Sequence, residues 1–186
     1  SMKIRFVDAE KIRNTVETDF SAWGTVGDFP FIPKGELWID RQLKAETKLF
    51  LALAKLEKSL PKTPFRKIRQ IAIRTMTDRS GDICVVETAK VSGTTVRLVD
   101  GATVRASLDP YFLLGGHDLV YPYMPKNEIW IEARLNADER RFTLLHELEE
   151  RRLMKKGMSY ADAHDYALAA ERADRRKAGK AHFLRG

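Results

Sequence analysis

A single cysteine, Cys84, among 186 residues excludes an intramolecular disulfide framework and fits a reducing cytoplasm. It lies in Ile83-Cys84-Val85-Val86-Glu87, a strand-like run, and reads as a small core residue and not as a nucleophile. No apolar run approaches the roughly eighteen residues that a membrane span requires. The start, Ser1-Met2-Lys3-Ile4-Arg5-Phe6, lacks the apolar core of a signal peptide, so a cytoplasmic location is expected. Zinc-finger cysteine pairs and a recognisable helix-turn-helix are missing too. Histidine is scarce, at four residues.

With 44% hydrophobic and 32% charged residues, the composition suits a globular protein of one or two small domains. The net charge of +7 permits an acidic partner such as nucleic acid without demanding one. Arg66, Lys67, Arg69 and Arg74 would form the positive face.

The chain repeats itself. Phe29-Pro-Phe-Ile-Pro33-Lys-Gly-Glu36-Leu-Trp38-Ile-Asp40 is echoed by Tyr121-Pro-Tyr-Met-Pro125-Lys-Asn-Glu128-Ile-Trp130-Ile-Glu132, an offset of 92 residues. Without a gap this offset carries 28–58 onto 120–150 with twelve identities in thirty-one positions. Upstream, Arg13 answers Arg105 and Phe20 answers Phe112. The pattern predicts an α+β fold built from a duplicated strand–strand–long helix unit. The first copy would occupy residues 1–80 and the second 81–178, with a mobile basic tail at 179–186 that begins its charge run at Arg175.

In each copy a short strand (3–7, 95–99) leads through an aromatic-proline stretch to a second strand, Glu36–Asp40 or Glu128–Glu132. A long helix follows, over about 43–60 or 137–156. Trp38 and Trp130 are expected to bury against that helix. Between the copies, Pro64–Thr77 suggests a helix, and Ile83–Ala89 with Thr95–Val99 a hairpin around Ser92-Gly93. Asp100-Gly101 signals a turn, with Thr103-Val104-Arg105 able to add a strand.

The second copy ends differently. Phe142, Leu145, Leu148 and Met154 recur at helical spacing, Asn136 with Glu139 can open the helix, and Gly157 can close it. Ser159 with Asp162 predicts a second helix to about Arg176, antiparallel to the first. His146 and Glu150, four apart, share one face. His164 lies as far beyond Gly157 as Glu150 lies before it, and Glu171 is seven residues further on the same face. These four residues could converge on zinc or another divalent metal. Glu147 stands where a general base for a metal-bound water stands in His-Glu-x-x-His enzymes. The first copy has Ala54, Lys55 and Lys58 at the positions of His146, Glu147 and Glu150, and Arg69 at that of His164 after a three-residue shift. His117, beside the Gly115-Gly116 pair, reads first as a loop histidine, with lining the site or serving as a further ligand as the alternative, and His182 reads as a tail residue.

His146-Glu-Leu-Glu-Glu150 with Leu153-Met154, Gly157, Tyr160, Ala163-His164, Ala167 and Glu171 resembles a pattern in uncharacterised bacterial and phage-encoded zincin-like metallopeptidase relatives. The resemblance covers about 95–176, and Glu150 stands where the usual motif has its second histidine. It implies a zincin-like fold in which Glu128–Glu132 runs antiparallel to a bound peptide. The expected function is a metal-dependent, peptidase-like hydrolase acting on a peptide or protein. The rival is a non-catalytic protein whose polar or metal cluster is structural and whose basic surface binds nucleic acid or a protein partner.

Overall fold

A computed structural model describes residues 1–183, so the last three residues of the expected basic tail lie outside it. Among the described residues the chain forms two small mixed sheets and six α-helices, an α+β fold.

In the first sheet, β1 (Lys3–Val7) runs parallel to β3 (Glu36–Asp40), and β2 (Trp23–Gly24) pairs antiparallel on the other side of β3. The second sheet has the order β4-β5-β7-β6, from β4 (Val85–Val91), β5 (Thr94–Val99), β6 (Gly115–His117) and β7 (Glu128–Glu132). Its β5–β7 pair is parallel and its outer pairs antiparallel. Registers match at the 92-residue offset: Ile4 faces Leu37 as Val96 faces Ile129, and Trp23 faces Ile39 as Gly115 faces Ile131.

The helices are α1 (Ala9–Thr15), α2 (Thr47–Ser59) after a 3₁₀ turn at Arg41–Glu46, α3 (Phe65–Met76), α4 (Gly101–Ser107), α5 (Ala137–Lys155) and α6 (Tyr160–Lys177). Asp8 and Asp100 cap α1 and α4, accepting from the amides of Lys11 and Ala102. The strand expected at Thr103–Arg105 is therefore helix, because Asp100 acts as an N-cap and not as a turn residue. Asn136 accepts from the Glu139 amide at 3.0 Å and Ser159 from that of Asp162 at 3.2 Å, which start α5 and α6. Gly157, at φ +100°, reverses the chain between them.

Side chains alternate across each sheet. Leu37 and Ile39 pack on Phe50, Leu53 and Ala54 of α2, and Ile129 and Ile131 pack near Leu144 and Leu148 of α5. Trp38 and Trp130, one residue out of phase, face the opposite side. They join Phe31 and Ile12, and Phe112 and Val104, respectively, and do not reach the helix that follows. Cys84 is exposed, just before β4, whose residues from Val85 to Lys90 are exposed as well.

Buried charges tie the halves together. Glu139 on α5 accepts from Arg13 of α1 at 2.9 Å and from Arg175 of α6 at 2.8 Å. Arg105 of α4 reaches Glu46 of the first half at 2.7 Å. Arg13 and Arg105, 92 residues apart, also donate to the carbonyls of Phe20 and Phe112. Arg175, expected to start a mobile run, is fully buried, and the His182 amide donates to the Asn14 carbonyl at 2.8 Å. On α3, Arg69 is bound to Asp109 at 2.6 Å and lies over the Tyr121 ring, so only Arg66, Lys67 and Arg74 of the expected basic face are at the surface. Among the described residues no helix is long and apolar enough to cross a membrane.

Breaking a buried pair leaves uncompensated charge, whereas an exposed pair contributes little. Glu139→Leu leaves Arg13 without a carboxylate and Arg175 with Glu171 alone, and should lose roughly 3–5 kcal/mol in urea denaturation. Lys180→Met, at the exposed Lys180–Asp138 pair, should lose about 0–1 kcal/mol. Equal losses would contradict the assignment of Glu139 as the junction.

Candidate metal centre

The hairpin of α5 and α6 builds the site. Helical spacing sets His146 and Glu150 on one face of α5, and Ala163 and Ala167 let α6 approach closely enough to bring up His164. Glu150 Oε2 lies 3.2 Å from His146 Nε2 and 2.9 Å from His164 Nδ1. The ligand atoms of His146, Glu150 and His164 all fall within 4.8 Å of one another. His146, Glu147 and Glu150 are buried, and His164 is half-buried.

Each imidazole has a second carboxylate behind it. Glu171 Oε1 meets His146 Nδ1 at 2.9 Å, and Asp19 Oδ1 meets His164 Nε2 at 3.0 Å. One nitrogen of each ring is thus held from outside while the other points at Glu150 Oε2. Outer carboxylates of this kind orient the imidazoles of metal sites. Glu171, expected among the ligands, is outside the group whose donor atoms converge, and its second oxygen accepts from Arg175 at 2.9 Å. Asp19 escaped the sequence reading altogether. It belongs to the first half, between α1 and β2, and no spacing links it to His164.

His117 also differs from expectation. It is not a loop residue but a fully buried member of β6, with Nε2 2.9 Å from Glu150 Oε1. The neighbouring Gly116 was the available signal: a Cβ there would stand 2.2 Å from the Tyr121 ring, so only glycine lets β6 lie beneath it. Glu147 sits in the wall of the cleft, 3.8 Å from His146 Nε2. The cleft, about 280 Å³, is bordered by Asp19, Tyr111, Val120, Tyr121 and Tyr160 as well as the cluster. The strand expected beside a bound peptide, β7, is paired on both sides, and β6 forms the sheet edge next to α5.

Opposite charges meet inside the cluster. Burial opposes charge on His146, but hydrogen bonds to Glu150 and Glu171 and the Glu147 charge push its pKa up to about 11. The hydrogen bonds His164 makes to Asp19 and Glu150 push its pKa up to about 10 against burial. Burial favours the neutral form of Glu150, but its three histidine partners hold it well below the usual carboxylate range. Burial pushes Glu147 up to about 7, with His146 opposing. Two imidazoliums thus face Glu150, Glu171 and Asp19 when no ion is bound. The donor set of His146, Glu150 and His164, two imidazoles and a carboxylate converging within 4.8 Å, fits a divalent cation.

Comparison with known proteins finds no match among family models, curated proteins or solved structures.

With their carboxylate partners pushing His146 up to about 11 and His164 up to about 10, both should hold a proton at pH 8–9, where Glu147 is already ionised. In that range zinc binding should release about two protons, and its apparent log K should rise by about two for each pH unit. Calorimetry in buffers of different ionisation enthalpy measures this directly. Release of no protons would mean that zinc does not displace the imidazoliums.

Proposed function

We propose that His146, Glu150 and His164 hold one divalent cation, zinc in the first instance, and that the chain is a zincin-like, peptidase-like hydrolase. The observation that carries this reading is the convergence of two carboxylate-backed imidazoles on one carboxylate oxygen, Glu150 Oε2. Mixed imidazole and carboxylate donors also suit manganese and iron.

When bound, the ion supplies Lewis acidity toward a carbonyl and toward the attacking water. The protein's own groups do the rest. Glu147, in the cleft wall beside His146, accepts the proton of that water and returns it to the leaving group. Asp19 and Glu171 keep the two imidazoles in register. Tyr121 and Tyr160 border the space where substrate would lie. With β7 covered on both sides, a peptide would meet the edge of β6, Gly115–His117.

The same reading makes the two halves copies of one ancestral strand–strand–long helix unit, with the site kept in the second. Matching strand order, matching registers and the paired roles of Arg13 and Arg105 support it. A nucleic-acid role through α3 has less behind it, because Arg69 is committed to Asp109.

Glu147→Gln should still bind one zinc per chain but hydrolyse a fluorogenic peptide mixture about 10²–10⁴-fold more slowly than the parent. His146→Ala should lose the zinc itself. If the zinc-loaded parent cleaves nothing, or Glu147→Gln cleaves equally well, the hydrolase reading fails and a structural metal remains.

A further inference from the structure

The cluster contains a second group of potential ligands. The donor atoms of His117, Glu147 and Glu150 also lie within 4.8 Å of one another. By spacing alone they would form a second cation site, with Glu150 bridging the two. A hydrogen bond on the far side of His117 argues otherwise. The Leu119 amide donates to His117 Nδ1 at 3.2 Å, so Nδ1 presents a lone pair and carries no proton. The ring proton is then on Nε2, the nitrogen 2.9 Å from Glu150 Oε1. A protonated nitrogen has no lone pair for a metal.

We propose that His117 is a positioning residue: its Nε2–H holds Glu150 Oε1, leaves Oε2 alone to meet the cation, and keeps the centre mononuclear. The assignment rests on the metal reading above.

The surroundings fix this donor. His117 pairs with Ile129 on β7, and the amides of Val120 and Tyr121 bond back to its carbonyl. That tight turn aims the Leu119 amide at Nδ1. The next residue, Asp118, accepts from Arg151 at 2.6 Å, so β6 is clamped to α5 through Glu150 and Arg151, consecutive residues of the helix. A backbone amide cannot move its proton to suit a ligand. The tautomer of His117 is thereby set by the fold and not by whatever occupies the cleft.

The test uses zinc as probe in the full chain, with competition against a chromophoric chelator. The parent and His117→Gln, whose amide keeps a donor near the Nε2 position, should each bind one zinc with closely similar affinity. His117→Leu should still bind one, about 10–100-fold more weakly. Two zinc ions in the parent with one lost in His117→Gln would overturn the assignment. So would a His117→Leu variant that binds as tightly as the parent. No zinc in the parent would instead bring down the metal reading, which separates the two failures. A measurement on the unaltered protein guards against misfolded variants. Long-range ¹H–¹⁵N correlation should show His117 protonated at Nε2 both before and after zinc loading. Loss of that proton on loading would make His117 a ligand.

Discussion

The structure turns on one buried carboxylate. Glu150 is 3% exposed, and its two oxygens meet three histidines. An isolated carboxylate in that position would incur a desolvation penalty of several kcal/mol. Its presence therefore demands the surrounding positive and donor groups, and those groups demand partners of their own. His146 requires Glu171, Glu171 is matched by Arg175, Arg175 by Glu139, and Glu139 by Arg13. The chain of alternating charge runs from the cleft to α1, so the first half of the molecule contributes to the electrostatics of a site formed by the second.

That dependence gives the first half a role beyond packing. It supplies Asp19 behind His164 and Arg13 at the far end of the network. In the opposite direction, Arg105 of the second half is satisfied by Glu46 of the first. Arg134 and Gln42, at equivalent positions of the two halves, touch each other at 3.2 Å. Contacts of this reciprocal kind make it hard for either half to keep its geometry alone. The carboxylates around His146 and His164 favour their protonated forms.

Local signals in the sequence reached far. The strands at 3–7, 36–40 and 128–132, the helix hairpin around Gly157, and the grouping of His146, Glu150 and His164 follow from hydrophobic period, caps and helical spacing, which involve residues a few positions apart. What could not be read depends on contacts between distant segments. Asp19 meets His164 across 145 positions, and His117 meets Glu150 across 33. Glu171 shares a helix face with His164, but the sequence holds no sign that Arg175 would claim its second oxygen. Trp38 and Trp130 pack on the face of their strands away from the following helix, which hydrophobicity does not reveal because it marks burial without saying which face is buried. At Asp100-Gly101 the same residues suit a turn or a helix start, and α4 forms because the Asp100 side chain caps it.

The most direct test of the central claim is X-ray absorption at the zinc edge of protein loaded with one equivalent of zinc. The account predicts two imidazole nitrogens and at least one carboxylate oxygen at about 2.0–2.2 Å, with multiple scattering from two rings. A first shell without imidazole, or one containing three rings, would contradict the assignment of His146, Glu150 and His164 as the protein ligands.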